Sequence, residues 1–126
     1  MQSTPDLFAK QKFISLETFR KTGEGVRTPV WFAQDGSTLY VWTIGTSGKA
    51  KRIRRNPGVK VAPSTVNGTP LGEYVSGQAQ VFAVDSADYQ RGNQLMDKKY
   101  GLQKKFFELF NRNNKANRTV IKIQLS

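Results

Sequence analysis

The segment from Thr43 to Ile53 (TIGTSGKAKRI) holds the residue types best suited to chemistry. A strand runs into a loop of small residues and then into a basic helix. Backbone N–H groups at a helix start lack partners, and the helix dipole favours an anion there. Thr43, Thr46 and Ser47 add hydroxyl donors around Gly48. Lys49 and Arg52 lie three apart, so they share a helix face and can converge on one phosphate. The spacing of a Walker loop, G-x-x-x-x-G-K-[ST], is absent. The same residues also describe a capped helix with a solvated basic face, and spacing alone leaves both readings open.

A second constellation is Arg27, Thr28, Pro29, Val30 and Trp31, followed by Phe32. Pro29 lacks an amide hydrogen, and Val30 and Trp31 sit beside it. Such a strand can present a flat wall and main-chain polar groups to a planar ring. Trp31 and Trp42 serve equally well as core or interface anchors. Ala62, Pro63 and Ser64 form another proline-bearing strand end. Asp85, Asp88 and Asp97 read as helix caps and solvated helix positions, and no carboxylate pair suggests a metal. Tyr40, Tyr74, Tyr89 and Tyr100 are scattered, without a visible acid or base partner.

What is missing narrows the chemistry further. The 126 residues include neither histidine nor cysteine. That excludes a Ser-His-Asp triad, a thiolate nucleophile, a zinc site of His and Cys, and a disulfide. No catalytic side chain is assigned, and an enzyme of this composition would borrow its chemistry from a cofactor. The charge is uneven: 20 Lys+Arg oppose 9 Asp+Glu, a formal +11. No acid stands between Asp35 and Glu73, where Lys49, Lys51, Arg52, Arg54, Arg55 and Lys60 cluster. Residues 109–126 are also acid-free.

The elements that must position these residues follow from periodicity and turn chemistry. Phe13 to Phe19 alternates as a half-buried strand. Lys21 to Gly25 is a turn. Val26 to Ala33 is a strand whose Pro29 argues for an edge or bulged position. Asp35-Gly36 is a hairpin signal, and Ser37 to Thr43 returns. Lys49 to Asn56 is a short helix stopped by Pro57 and capped by Thr46 or Ser47, with Ala50 and Ile53 facing the sheet. Gly58 to Ala62 resumes a strand, Asn67-Gly68 turns, and Gly72 to Val84 is a long strand with a possible bulge at Gly77. Asp85-Ser86 caps a helix to about Tyr100, closed by Gly101. Leu102 to Phe110 is a second helical piece, Asn111 to Asn117 a polar loop, and Thr119 to Leu125 a closing strand. These elements describe a small, mainly β antiparallel barrel with a few helices, one domain over residues 1–126. No run approaches the ~20 apolar residues of a membrane span, and the first residues lack a secretory h-region. A soluble cytoplasmic protein is expected.

Taken together, TFRKTGEGVRTPVWFA, LYVWT, SGKAKRIRRNPGVKVAP and YVSGQAQV resemble the flavin/deazaflavin-dependent oxidoreductases of the pyridoxamine 5′-phosphate oxidase-like superfamily. The likeness is greatest to its small proteins described as coenzyme F-420-dependent enzymes, and it covers roughly residues 13 to 84. It implies a six-stranded split β-barrel of the FMN-binding type, a homodimer with cofactor sites at the dimer interface. Arg27, Thr28, Pro29, Val30 and Trp31 would then line the ring. Thr43, Ser47, Gly48, Lys49 and Arg52 would hold the cofactor phosphate, and Ala62 and Pro63 would flank the ring. Relatives often carry Cys-Asp after that Ala-Pro; here the pair is Ser64-Thr65. Hydride transfer between the ring and a small organic substrate asks the protein only for position and electrostatics. The acid-free tract suits the oligoglutamate tail of F-420, the phosphate of FMN, or a nucleic acid.

The main rival is a nucleic-acid-binding small barrel, with phosphates on Lys/Arg and bases stacked on aromatics. No RNP1-like pattern accompanies the basic cluster. A third possibility is a flavin-cofactor-binding protein without turnover.

Overall fold

A computed structural model describes residues 7–9, 11–44, 47–82, 86–100 and 118–126. In chain order the elements are β1 (Phe13–Phe19), β2 (Gly25–Trp31), β3 (Ala33–Asp35), β4 (Thr38–Ile44), α1 (Gly48–Arg55), β5 (Gly58–Ser64), β6 (Val75–Phe82), α2 (Ala87–Tyr100) and β7 (Arg118–Leu125). The strands form one antiparallel seven-stranded sheet in the order β2-β1-β5-β6-β7-β4-β3. Two acids act as ties: Asp35, of the hairpin, pairs with Arg91, and Asp88, read as a helix cap or solvated helix position, pairs with Lys122, both at 3.0 Å, fastening α2 to the sheet.

Six strands were expected and seven are present, because Val26 to Ala33 divides at Phe32. β2 pairs with β1, whereas β3 pairs with β4 at the opposite edge. Phe32 alone joins these two edges. It is fully buried and meets Phe8 edge-on at 6.2 Å between ring centres. Consecutive Cα atoms are about 3.8 Å apart, so the sheet has to curl until its edges meet. Pro29 accordingly sits on an edge strand, where its missing amide costs no ladder bond on the open side.

Period-two alternation divides the apolar residues between two cores. Ile14, Leu16, Leu39, Val41, Val59, Val61, Ile121 and Ile123 fill the inside of the curl, with Ile53 of α1 among them. Tyr40, Trp42 and Val120 point the other way and pack beneath Tyr89 of α2. Trp42 therefore belongs to a core, as one of the two sequence readings held.

β1 departs from the half-buried expectation: Ile14 to Thr18 are all buried. Ser15 is covered by Tyr74, at the end of an excursion from Thr65 to Tyr74, Glu17 by Arg27, and Thr18 by Arg52 of α1. That excursion is pinned by the Leu71 amide on the Pro63 carbonyl at 2.7 Å and by a Ser64–Pro70 bridge. Gly68, at φ +88°, closes its turn against the Pro29 ring. Residues 72–74, expected in the long strand, are spent on this cover, and β6 begins only at Val75.

Gly77 makes no bulge. It pairs with Val59 on one side and Leu125 on the other in unbroken ladders. Its lack of a side chain answers a need for space: a Cβ there would stand 3.0 Å from both the Gln124 carbonyl oxygen and Ile123 Cγ2.

Ser86 caps α2 by accepting from the Tyr89 amide at 3.0 Å. Asp85, Gly101, the expected helical piece 102–110 and the polar loop 111–117 lie outside the described residues. Among the described residues no helix is long and apolar enough to cross a membrane. Gly77→Ala is expected to cost about 1–3 kcal/mol through overpacking between β6 and β7. Urea unfolding measures this, and an unchanged midpoint would show that the strands yield freely.

Candidate anion site and the strand beside it

At the end of β4 the Thr43 hydroxyl lies 3.0 Å from Ser47 Oγ. Ser47 is extended (φ −64°, ψ 158°) and caps α1, its Oγ accepting from the Ala50 amide at 3.2 Å. The amides of Gly48 and Lys49 make no hydrogen bond to a described residue. Ala50 and Ile53 are buried, as their spacing required, which seats the helix on the barrel end. Asn56 and Pro57 then end it.

Arg52 is oriented from below. Its Nε donates to Thr18 Oγ1 at 2.6 Å, and Thr18 is buried in β1. The guanidinium folds back over Gly48, where a Cβ would stand 2.9 Å from Arg52 Nη1. Gly48 thus makes room for the cation. Burial lowers the Arg52 pKa below its ordinary value, and the nearby charges of Arg20 and Arg55 lower it further. Lys49 is half-buried and has no carboxylate or hydrogen-bond partner among the described residues. Burial depresses its amine below the ordinary 10.5, and Arg52 adds to the effect. No acid stands in the first turn of α1. Free amides and unneutralised, partly desolvated cations on one spot are what an anion requires.

Thr43, Ser47, Gly48, Lys49 and Arg52 are therefore brought together as the sequence suggested; Thr46 lies outside the described residues. The second group is not gathered in the same way. Register puts Arg27, Pro29 and Trp31 on the outer face of β2, and Thr28 and Val30 on the inner face with Leu16 and Ile14. Ala62 stands opposite Ser15 and Pro63 opposite Ile14, so β1 separates both from β2. Ala62 shares the outer face with Pro29, while Pro63 faces the core. The outer wall is also less bare than a flat ring seat, since Gly68 lies on Pro29. Thr28 Oγ1 is buried without a hydrogen-bond partner among the described residues. Trp31 meets Phe13 edge-on at 6.1 Å.

Several functional neighbours were invisible in the sequence. Ser15, Glu17, Thr18, Arg20 and Tyr74 all contact or charge the site, yet only sheet register brings them there. Tyr74, which had no visible partner, shares a 2.6 Å hydrogen bond with Ser15. Glu17 accepts from Arg27 Nε at 2.9 Å, which raises the Arg27 pKa.

No family model and no curated protein matches this sequence. Solved structures do match in shape. HutZ, the heme storage protein of Vibrio cholerae, superposes with a TM-score of 0.72 at 15% identity, over 100% of this chain and 92% of its own. A candidate pyridoxamine 5′-phosphate oxidase of Listeria innocua gives 0.64 at 19% identity, over 96% and 89%. An F420 reductase gives 0.63 at 19%, over 100% and 95%. The chain has the fold of the pyridoxamine 5′-phosphate oxidase-like split barrels, as its motifs implied.

Inorganic phosphate is expected to raise the thermal unfolding midpoint at neutral pH. The anion favours the protonated amine of Lys49, whose folded-state pKa lies below 10.5. The increment should thus be full at neutral pH and fade as pH rises through that value. Scanning calorimetry with and without phosphate tests this, and a pH-independent increment would remove Lys49 from the site.

Proposed function

We propose that this split barrel is an oxidoreductase that binds F-420, or FMN in its place, and moves a hydride between the ring and a small organic substrate. The observation that carries this is the anion cradle at the start of α1. Its donors fit a phosphate monoester or diester: two free amides, one hydroxyl of the Thr43–Ser47 pair, and two cations with no carboxylate on them among the described residues. Ser47, Gly48, Lys49 and Arg52 would hold that phosphate, with Thr43 fixing Ser47. When bound, the ring supplies hydride chemistry that a chain without histidine or cysteine cannot supply itself. The outer face of β2, from Arg27 through Pro29 to Trp31, and Ala62 would border the ring and exclude water from it. Thr28, Val30 and Pro63 would act from behind, by fixing the backbone of that wall.

F-420 is favoured over FMN because acid-free charge extends past the cradle through Lys51, Arg54 and Arg55, which suits an anionic tail. The F420 reductase among the structural neighbours supports the same choice. The heme storage neighbour shows that this fold also serves other ends. Here, however, histidine and cysteine, two of the side chains that hold haem iron, are both missing. The reading takes the protein as one cytoplasmic domain that works as a homodimer, with each ring at the interface.

Titration of the purified protein with F-420 and FMN should give saturable micromolar binding. Lys49→Ala should weaken it at least about tenfold, as for loss of a charged hydrogen bond. Salt-sensitive binding of single-stranded DNA with no binding of either cofactor would overturn the reading in favour of a nucleic-acid barrel. Light scattering should give a dimer, and a stable monomer at tens of micromolar would remove the shared site.

A further inference from the structure

Outside the phosphate cradle, one polar cluster on the opposite face of β1 is built with unusual economy. Arg27 lies over the Tyr74 ring, its Cζ 4.2 Å from the ring centre. Its Nε is taken by Glu17 at 2.9 Å. Tyr74 is fixed in turn by the buried hydroxyl of Ser15. Glu17 is itself nearly buried, and Gly25 admits it, since a Cβ there would stand 2.5 Å from Glu17 Oε2. Two contacts thus hold the guanidinium in place, yet its side chain is 55% exposed. Its terminal nitrogens donate to nothing among the described residues. Lys60 stands across Glu17 from Arg27 in the β1–β5 register, so a single carboxylate faces two cations.

We propose that Arg27 is the substrate's anion receptor, selecting molecules that carry a carboxylate on an apolar body. The two terminal nitrogens offer parallel N–H groups in one plane, the geometry that a two-oxygen carboxylate matches edge-on. The local charge is +1 in excess, which favours an anion without a competing internal partner. Pro29 and Trp31 follow Arg27 on the same strand face at intervals of about 7 Å, so a molecule held on Arg27 would turn its apolar remainder towards the ring that they border. A purely structural clip would need Glu17 and Tyr74, but it would not leave the fork open. This inference rests on the proposed ring position along β2. It changes the part played by Arg27, from bordering the ring to holding what reacts with it.

The test uses the full-length protein without cofactor and sodium benzoate as probe. Benzoate should shift the Arg27 Nε–Hε signal in a nitrogen–proton NMR spectrum saturably, with benzamide and inorganic phosphate leaving it in place. Arg27→Lys keeps the charge and the stem but removes the fork, and it should weaken benzoate at least about tenfold. An unmoved Arg27 signal, or equal affinity in Arg27→Lys, would overturn the proposal. Equal response to phosphate would overturn the carboxylate class. Failure of F-420 and FMN to bind the wild-type protein would instead sink the oxidoreductase reading, whatever the Arg27 signal does.

Discussion

The structure depends first on the burial of Phe32. This residue alone joins the two edges of a seven-stranded sheet, and its ring lies at the core against Phe8. With no slack between β2 and β3, the sheet has to close on itself. Closure places α1 over the barrel end, with Ile53 as its plug. It also carries α2 across the outside, where Lys99 lies 3.6 Å over the Phe32 ring. Everything that positions the cradle follows from that one short link.

β1 then distributes the chemistry. Its neighbouring residues Glu17 and Thr18 point to opposite faces, and each orients one arginine. Thr18 holds Arg52 on the inside and Glu17 holds Arg27 on the outside. Burying both faces of a strand with polar residues demands that each polar group be satisfied. Here the satisfying partners are the groups a ligand would meet. Stability and site geometry are set by the same hydrogen bonds.

Much of this was legible in the chain itself. Ser47 as cap, Ala50 and Ile53 as buried positions and Pro57 as stop placed α1 within a residue, because these are local signals. β1 and β7 were legible from strict alternation. The division at Phe32 was not, since Trp31, Phe32 and Ala33 carry no breaker and only the curl separates them. Gly77 was read as a bulge because a glycine in a strand answers either to backbone shape or to space, and the neighbour at Ile123 decides. The facing of Arg27 and the anchoring of Arg52 by Thr18 depend on register between segments far apart in sequence. Composition cannot encode that.

The neutralised and unneutralised charges also have different addresses. Glu17, Asp35 and Asp88 are each matched to a cation of the sheet or of α2. Lys49 and Arg52 of α1 have no acid paired with them among the described residues, and none stands in the helix's first turn. Among the described residues, positive charge is therefore concentrated without acids along α1, and a surface of that kind draws an anion before any contact forms. For the proposed anion, recognition would begin as a matter of arrival rate, governed by the ionic strength of the surroundings, and only afterwards become one of fit.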